Sequence, residues 1–372
     1  MPAKIKRRLS IVILDFDDVA NPLLGAGQAK ATYELAKRLV KRGHKVEVIS
    51  SRYPGYKDRM EQGIRYRHIG ISSGNIRLNN LIYILAVPWQ VMKVRADVVV
   101  ECFTAPISTL LSPLFTKLPV VVIPSSFEAD RFAKRYHLPV NLIEKWGIRF
   151  YRYALPYSKA IEGKFLRLNP KMVCKIVPEG VDVNAFKMKP GRAKHILFLG
   201  RMDMDQKGLD LLLKAYKKIA GKCKYPLVMV GFGPDEDRVK ELVEKLKLTN
   251  KVSLVGPSYG EDKLKLMRES RVIVLPSRDE TFSCFALEAL ASGHTLATFD
   301  IPGLSWLDDD QVVVKAKPYS VNEYAKKLLM LVKDPRLAAK NKRAREFAKK
   351  FSWEKMTRDY ETFFYKVVAE RN

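Results

Sequence analysis

Two basic side chains in the second half of the sequence have the spacing of an anion site. Arg201 and Lys207 lie in a polar loop between an apolar strand predicted over His195–Leu199 and an amphipathic helix. Such a loop reaches the carboxyl edge of a parallel sheet, where open α/β proteins bind ligands. Two cations at one crevice suit a diphosphate, and they would neutralise its charge as it leaves in a group-transfer reaction. The alternative is a solvated basic loop.

Two glutamates further along the chain complete a candidate nucleotide site. Glu280 and Glu288 have seven residues between them, 281–287. The pattern predicts a strand over 272–275 and a helix over Cys284–Ala291, which places Glu288 about one turn inside the helix. Free amides at a helix N-terminus attract phosphate, while a carboxylate accepts hydrogen bonds from both ribose hydroxyls. Glu280, in the preceding loop, can reach sugar hydroxyls. Taken singly, each glutamate would be a solvated or capping residue.

At these residues the sequence resembles a known enzyme family. The matching pieces are GRMDMDQKG from Gly200, VMVGFGPD at 228–235, the Glu-x-Phe and Glu-Ala-Leu-Ala-Ser-Gly pieces around the two glutamates, and VPEGVDVNAF at 177–186. They resemble the retaining, nucleotide-sugar-dependent glycosyltransferases of the GT-B fold, in the group-one family (family four). The likeness covers nearly all the chain and is strongest over 177–303.

The resemblance implies roles for particular side chains. Arg201, Lys207 and Glu280 would be catalytic, and the reaction would need no metal ion and no cofactor beyond a UDP- or GDP-linked sugar donor. Asp203 and Asp205 are interpreted as loop charge rather than as metal ligands. The residues expected to contact the donor are Gly25, Gly27, Gly200, Gly231, Ser283, Cys284, Phe285 and Glu288.

Two departures from the family pattern concern the sugar. Ser283 stands where the family usually has glycine, and its hydroxyl could alter which sugar is accepted. The family's histidine near the donor sugar has no counterpart in ECFTAPIS or IPSSFEAD. Glu101 and Glu128, in those two segments, are the candidates for acceptor or sugar contacts in its place.

The order of predicted elements indicates an α/β fold. Strands alternate with helices in both halves, which predicts two doubly wound, Rossmann-like domains. The family's fold implies that these domains face a central cleft and that the last helix crosses back to the first domain. The expected boundaries are 1–188 for the N-terminal, acceptor-side domain, 189–350 for the donor domain, and 351–372 for the final helix.

Composition favours an anionic partner. The 372 residues include 67 Lys and Arg against 40 Asp and Glu, a formal charge of +27. Nucleic acid, an anionic membrane surface and phosphorylated substrates would all suit this excess, and a lysine-rich source organism would also explain it. Four scattered cysteines without a CxxC pair fit a reducing cytoplasm. The longest apolar stretch, 81–92, contains Pro88 and is too short to cross a bilayer.

Basic and aromatic residues alternate over 129–168. This mixture suits a lipid headgroup surface, where rings sit at the interface and cations meet anionic lipid. The same mixture could bind RNA by stacking, or it could be a helix with an aromatic core face and a basic outer face. Membrane contact is favoured over nucleic acid, because the segment has no RNA-binding signature and its neighbours belong to a sugar-transfer fold.

Together these features predict a retaining hexosyltransferase. It would act on a lipid-linked or other glycan acceptor, as a cytoplasmic protein peripheral at the inner face of the cell membrane. A phosphorylase or sugar-nucleotide epimerase on the same fold remains an alternative, as does a non-catalytic protein that binds nucleotide or membrane.

Overall fold

The chain folds into two compact units. The structure is a computed structural model that describes residues 7–24, 27–104, 111–127, 129–189, 191–334 and 341–371. The first unit comprises Met1–Gly180 and Trp353–Asn372, and the second comprises Val181–Ser352. Each unit is built on a largely parallel β-sheet whose strands are connected through helices. The predicted α/β class is therefore confirmed.

The sheet of the first unit has eight strands in its described residues. In chain order they are β1 (Ser10–Leu14), β2 (Lys45–Ser51), β3 (Arg59–Glu61), β4 (Ile64–Ile69), β5 (Val98–Thr104), β6 (Val120–Ser126), β7 (Tyr153–Ala154) and β8 (Val173–Cys174). Their spatial order is β3-β4-β2-β1-β5-β6-β7-β8, and only the pairing of β3 with β4 is antiparallel. The strand order reverses between β1 and β5, which makes this position a topological switch point.

Five described helices connect these strands. They are α1 (Gly27–Lys41), α2 (Ile76–Lys93), α3 (Ala129–Tyr136), α4 (Val140–Gly147) and α5 (Lys159–Leu168). Asn75 begins α2, because its side-chain oxygen accepts the free backbone N–H groups of Arg77 and Leu78. One side of α2 packs in the core through Tyr83 and Val87. Within the described ranges, no helix combines the length and the apolar character that crossing a membrane requires.

The second unit has a six-stranded sheet that is parallel throughout its described residues. The strands are β9 (His195–Leu199), β10 (Leu227–Val230), β11 (Val252–Val255), β12 (Ser270–Leu275), β13 (Leu296–Phe299) and β14 (Val313–Ala316). Their order is β11-β10-β9-β12-β13-β14. The helices are α6 (Val183–Phe186), α7 (Met204–Lys207), α8 (Leu209–Ile219), α9 (Glu236–Lys245), α10 (Gly260–Arg268), α11 (Cys284–Ala291), α12 (Val321–Lys333) and α13 (Lys342–Ala348).

The last helix, α14 (Trp353–Ala369), lies in the first unit, where it packs against α1. Its Glu361 carboxylate is buried and accepts hydrogen bonds from the Arg42 guanidinium at 2.6 Å and from His44 at 3.0 Å. The Nδ1 atom of His44 accepts the backbone N–H of Leu9, so Nε2 carries the proton that it donates to Glu361. A buried, fully hydrogen-bonded carboxylate thus fixes α14 to the first unit.

The structure moves the first predicted boundary from 188 to 180. Val181, Ala185 and Met188 are buried in the core of the second unit, so the chain has already entered that unit before the Pro-Gly pair at 190–191. The second boundary moves from 350 to 352, because Phe351 packs against the same core. The first boundary was predicted from the proline and glycine residues near 190. It lies earlier because the apolar residues that precede them are buried in the second unit.

Candidate active site

The candidate residues of the second unit lie at the switch point of its sheet. β9 has β10 on one side and β12 on the other, although β10 follows β9 in the chain and β12 comes later. The loops after β9 and β12 therefore flank a crevice at the carboxyl edge, the usual ligand position in open α/β sheets. Arg201 and Lys207 follow β9, and Glu280 and Ser283 follow β12. The structure thus brings Arg201, Lys207 and Glu280 to neighbouring strand ends, while Glu288 lies further on in α11.

Lys207 and Glu280 are in direct contact. The Nζ atom of Lys207 donates to Oε1 of Glu280 at 2.7 Å, and the hydroxyl of Ser277 donates to the same oxygen at 2.7 Å. Glu280 is only 6% exposed, whereas the Lys207 side chain keeps 18% of its surface accessible. Lys207 is therefore held by a buried carboxylate while part of its side chain remains accessible to solvent.

Two glycines allow the backbone segments of this site to approach closely. Gly208, which ends α7, adopts a left-handed conformation with φ of +61°, and a Cβ there would lie 2.1 Å from the carbonyl oxygen of Pro276. Gly303 packs on the Glu280 backbone so closely that a Cβ would lie 1.6 Å from the Glu280 carbonyl oxygen. No larger residue fits at either position without moving the loop that carries Glu280.

Arg278 joins the two loops. Its backbone N–H donates to the carbonyl of Gln206 at 2.8 Å, and its guanidinium donates to the carbonyl of Met204 at 2.9 Å and to Asp210. The short helix α7, which ends in Lys207, is therefore fixed against the loop that carries Glu280. The sequence analysis did not identify Arg278, although its position beside the Glu-x-Phe piece is a signal.

Arg201 is exposed beside the end of β9. Gly200 precedes it, and Gly231 directly follows the neighbouring strand β10. The two glycines pack so closely that a Cβ on Gly231 would lie 2.0 Å from the Gly200 carbonyl oxygen. Asp203 is buried and is not simply loop charge: its carboxylate accepts the backbone N–H of Gln206 at 2.9 Å and caps α7. Asp205 is exposed, as predicted for loop charge.

Ser283, Cys284 and Phe285 form the start of α11. The Ser283 hydroxyl accepts the backbone N–H of Ala286 at 3.2 Å, which caps the helix. That Ser283 alters which sugar is accepted stays a prediction; in the structure its hydroxyl caps the helix and the residue is buried. Cys284 is the first helical residue, and Phe285 is half-buried against the core.

Glu288 lies further along α11 and forms an ion pair with Lys263 of α10. The Lys263 ammonium also lies 5.9 Å from the centre of the Phe285 ring. The two candidate carboxylates are thus each paired with a lysine, Glu280 with Lys207 and Glu288 with Lys263. The described contacts show these two ion pairs but no contact that joins Arg201 or Lys207 to Glu288. The expectation that Arg201, Lys207 and Glu288 meet in one pocket therefore stays a prediction.

Of the four candidate residues in the first unit, the structure describes two, Gly27 and Glu101. Gly25 and Glu128 lie outside the described residues. Gly27 is the exposed first residue of α1, and no atom of the described residues considered lies within 4 Å of the position that a Cβ would take. Glu101 is a correction: it lies within β5, is 1% exposed, and accepts the Tyr151 hydroxyl at 2.5 Å. A carboxylate held inside the sheet cannot be a sugar contact.

A buried polar network, which the sequence analysis missed, lies at the switch point of the first unit. Asp15, directly after β1, accepts the Thr32 hydroxyl at 2.5 Å, and the Gln28 amide donates to Thr32 at 3.3 Å and to the thiol of Cys102 in β5 at 3.3 Å. The Tyr157 hydroxyl donates to Gln28 at 3.3 Å. Burial, and to a lesser extent the nearby Asp17 carboxylate, raises the pKa of Asp15 to about 7.

Asp18, three residues further on, has the opposite electrostatic environment. The Arg59 guanidinium donates two hydrogen bonds to its carboxylate, at 2.7 and 2.8 Å, and His68 lies 2.8 Å away. Burial alone would raise the pKa of Asp18, but the hydrogen bonds from Arg59 and His68 outweigh it and hold this pKa well below its usual range. Asp18 is therefore a charged structural anchor for β3 and β4.

The aromatic residues of the basic and aromatic segment 129–168 differ in their exposure to solvent. Tyr151, Tyr153 and Tyr157 are buried, so these rings belong to the core and not to a headgroup surface. Trp146 on α4 is exposed. The three tyrosines are core residues, but they do not form the aromatic face of a helix, since Tyr153 lies in β7 and Tyr151 and Tyr157 lie outside the helices. Across the described residues, no cluster of three His, Cys, Asp or Glu side chains is placed to hold a metal ion.

Two family descriptions match successive parts of this chain. "Glycosyltransferase Family 4" matches residues 25–185, and "Glycosyl transferases group 1" matches residues 183–351. Together the matches run through most of both units. The chain belongs to the group-one glycosyltransferases of family four, as the resemblance in its sequence predicts.

Similar proteins include one curated relative and two solved structures. An uncharacterized glycosyltransferase of Methanocaldococcus jannaschii is 36% identical over 111 residues, which are 30% of this chain and 28% of that protein. The chain matches less than half the length of the first curated relatives. Sucrose-phosphate synthase from Thermosynechococcus elongatus has a TM-score of 0.79 at 18% identity, over 98% of this chain and 100% of that chain. Anabaena HepE in complex with UDP-glucose has a TM-score of 0.73 at 16% identity, over 96% of this chain and 99% of that chain. These structures share the GT-B fold.

Proposed function

We propose that this protein transfers a hexosyl group from a nucleotide diphosphate sugar to a glycan acceptor, with retention of configuration at the anomeric carbon. The observation that carries the proposal is the contact of Lys207 with Glu280 at the switch point of the second sheet, where the exposed Arg201 precedes Lys207 in the same loop. Family membership supplies the reaction class, and these three side chains supply its chemistry.

The two cations bind and stabilise the leaving diphosphate. As the bond between the anomeric carbon and the phosphate oxygen breaks, negative charge accumulates on the diphosphate. Lys207 has three N–H donors, of which Glu280 engages one, and Arg201 offers a planar guanidinium that matches two phosphate oxygens. Because these side chains provide positive charge at the leaving group, the proposed reaction needs no metal ion.

The carboxylates position the rest of the donor. Glu280, held by Ser277 and Lys207, orients the sugar. Glu288 accepts hydrogen bonds from the ribose hydroxyls, which replace its ion pair with Lys263. The N-terminus of α11, with Cys284 and Phe285, is assigned to the phosphates, because the N-terminal end of a helix favours an anion. Gly200 and Gly231 line the ends of the neighbouring strands. UDP is the first nucleotide to test, since HepE is similar in fold and its crystals contain UDP-glucose.

The proposed acceptor is a lipid-linked glycan at the cytoplasmic face of the cell membrane, with the protein bound peripherally. The formal charge of +27 and the exposed Trp146 beside Lys145 on α4 support contact with anionic lipid. Because three tyrosines of segment 129–168 are buried, this acceptor is supported by charge more than by aromatic residues.

Release of nucleoside diphosphate tests the proposal. The purified protein is incubated with UDP-, GDP- and ADP-linked hexoses, after a thermal-shift screen with the free nucleotides has identified the base that raises the melting temperature. We expect release in the wild type and in Lys218→Ala, a control at an exposed lysine of α8. Lys207→Ala should lower the rate by about 10²–10³, and Glu288→Ala should lower it at donor concentrations below KM. Unchanged turnover in both variants would defeat the assignment.

The same assay separates the alternatives. A phosphorylase would require inorganic phosphate, and an epimerase would convert the sugar nucleotide without releasing diphosphate. A non-catalytic binding protein would show the thermal shift and no turnover.

A further inference from the structure

The outer face of α2 is an exposed apolar stripe. Leu78, Leu81, Leu85, Trp89 and Met92 follow one another at intervals of three or four residues and are between 41% and 66% exposed. At helical spacing these five positions share one face. We call this face the α2 stripe. An apolar face of this extent on the surface of a protein marks a contact with another apolar phase.

The core fixes the direction in which the α2 stripe points. Tyr83, Val87 and Val91, on the opposite side of the helix, are buried in the core of the first unit. The Tyr83 hydroxyl also donates to the carbonyl of Ile49 in β2 at 3.2 Å. The helix therefore cannot rotate its exposed leucines inward without breaking this packing.

Cations flank the α2 stripe and acids are absent from it. Residues 62–96 contain no Asp or Glu, whereas Arg77 stands near one end of the helix and Lys93 and Arg95 at the other. All three are exposed. The Lys93 ammonium lies 4.8 Å from the centre of the Trp89 ring, so a cation and an aromatic ring are presented side by side.

We propose that the α2 stripe is a docking surface for an anionic lipid bilayer, with the helix lying in the plane of the membrane. From Leu78 to Met92 the stripe is about 21 Å long, since a helix rises about 1.5 Å per residue. The leucines enter the acyl boundary, Trp89 sits at headgroup level, and Arg77, Lys93 and Arg95 meet lipid phosphates.

Charge favours a bilayer over a second copy of the chain. A net charge of +27 opposes self-association through a helix whose only charged side chains are cations, whereas an anionic surface attracts the same helix. Lipid also accommodates a stripe that is a single helix wide, because acyl chains fill the space on both sides of it.

This inference depends on the proposed function only for its purpose, which is to bring the acceptor side of the protein to a lipid-linked substrate. The docking itself involves no residue of the donor site. It also differs from the contact expected at 129–168, because it assigns the main apolar anchor to a different helix.

Vesicle flotation tests the docking. The wild type should float with vesicles of phosphatidylcholine and phosphatidylglycerol and much less with phosphatidylcholine alone. The variant Leu81→Ser, Leu85→Ser, Trp89→Ser should bind the anionic vesicles roughly tenfold more weakly or worse, because insertion scales with apolar area. Met330→Ser, at a residue of α12 that is 51% exposed, is the matched control and should bind like the wild type.

Fluorescence of Trp89 gives a second measurement. The emission of the wild type should shift to the blue when anionic vesicles are added, because the ring leaves water. Trp89→Phe should lose most of this shift yet still float. All these replacements fall on exposed positions, and unchanged circular dichroism and melting temperature should verify folding.

Three results would overturn the proposal: equal flotation of the triple variant and the wild type, loss of flotation in Trp146→Ser but not in the triple variant, or a lipid-free dimer in sedimentation that the triple variant converts to a monomer. Release of nucleoside diphosphate from a soluble donor should be the same in the triple variant and the wild type. Failure of the docking therefore leaves the proposed reaction standing. Conversely, a wild type that floats but never releases nucleoside diphosphate would refute only the reaction.

Discussion

The ammonium nitrogen of Lys207 lies 2.7 Å from a carboxylate oxygen of Glu280, so the proposed phosphate-binding cation already has an anionic partner. Because Glu280 is buried and also accepts the Ser277 hydroxyl, it is held in place and in turn orients Lys207. A bound diphosphate would therefore meet an ammonium group whose position is set in advance, which lowers the cost of arranging the site during the reaction.

Replacing Lys207 should impair both activity and stability. We expect Lys207→Met to lower kcat/KM for the donor by about 10²–10³, the usual effect of losing one group that stabilises developing charge. It should also lower the free energy of unfolding by a few kcal/mol, roughly 3, because the Glu280 carboxylate is left buried without a cation. Steady-state kinetics and urea unfolding measure the two effects.

The double variant Lys207→Met, Glu280→Gln separates these effects. Without the buried charge, most of the stability should return while the activity stays low. Recovery of activity together with stability would contradict a role for Lys207 in the reaction.

Gly303→Ala should disturb the site through the backbone of Glu280. A Cβ at residue 303 would lie 1.6 Å from the Glu280 carbonyl oxygen, so the loop must move. We expect a loss of about 2 kcal/mol or more of unfolding free energy and a marked fall in kcat/KM, measured by thermal unfolding and donor turnover. Gly221→Ala is the control, since nothing lies within 4 Å of a Cβ there. Equal behaviour of the two variants would show that this contact does not constrain the loop.

Glu288→Gln should act mainly on donor affinity. Glu288 is proposed to accept hydrogen bonds from the ribose, an interaction that is the same in the bound substrate and in the transition state. Its loss should therefore raise KM by about tenfold with little change in kcat. Lys263→Met, which removes the partner of Glu288 in the ligand-free protein, tests whether that ion pair competes with the ribose. A drop in kcat with unchanged KM in Glu288→Gln would reject the ribose role.

Asp15 should make the protein less stable as the pH rises. The pKa of this carboxyl is about 7 in the folded protein, whereas an unfolded aspartate titrates near 4. Between these values the unfolded chain has released its proton and the folded protein retains it, so the free energy of unfolding falls with rising pH. The total loss, complete above about pH 7, is on the order of 4 kcal/mol.

Asp15→Asn should flatten this dependence. Melting temperatures at several pH values between about 4 and 8 measure it. Some slope should remain, because burial also raises the pKa of Glu144 to about 7. Asp205→Asn, at an exposed position, should follow the wild-type curve. An Asp15→Asn curve as steep as that of the wild type would show that Asp15 is not the group responsible.

Glu361→Ala should loosen the final helix. The carboxylate is buried and accepts hydrogen bonds from Arg42 and His44, and its removal leaves both without their partner. We expect a loss of about 2–4 kcal/mol of unfolding free energy in the first unit. Burial acts to raise the pKa of Glu361, but the Arg42 and His44 hydrogen bonds prevail and lower it.

The lowered pKa of Glu361 determines how its contribution to the free energy of unfolding changes with pH. Its contribution is fully present above about pH 4, the unfolded value, and is lost as the pH falls through the folded pKa. Hydrogen exchange of the amides in α14 would report the loosening. Glu346→Ala, at an exposed carboxylate of α13, should leave those amides protected.

Regular apolar patterns in the sequence predicted the elements that carry the site. The strand His195–Leu199 and the helix Cys284–Ala291 have the predicted bounds. Each is a strongly apolar or periodic run, for which burial and local preference agree. The residue types of Lys207 and Glu280 suggested phosphate binding and sugar binding. Because both residues follow strands of one parallel sheet, the sequence also predicted that they lie at the same edge.

Contacts between distant residues could not be predicted in the same way. Lys207 and Glu280 lie 73 positions apart, and no spacing rule indicates that they form an ion pair. The sequence shows that Glu101 is acidic, but only the sheet shows that it is buried against Tyr151. The α2 stripe was missed because α2 is apolar around most of its circumference, so its pattern did not distinguish the core face from the exposed one.

The second unit enters and leaves the fold at neighbouring points, where the Val181 N–H donates to the Phe351 carbonyl at 3.3 Å. The second unit is therefore an insertion within the first, and α14 is translated only after it. The inserted unit contains all of its own core residues before α14 begins, whereas the earlier part of the chain still lacks the helix that carries Glu361. A chain truncated after residue 352 should accordingly contain a protease-resistant second unit and an unfinished first one.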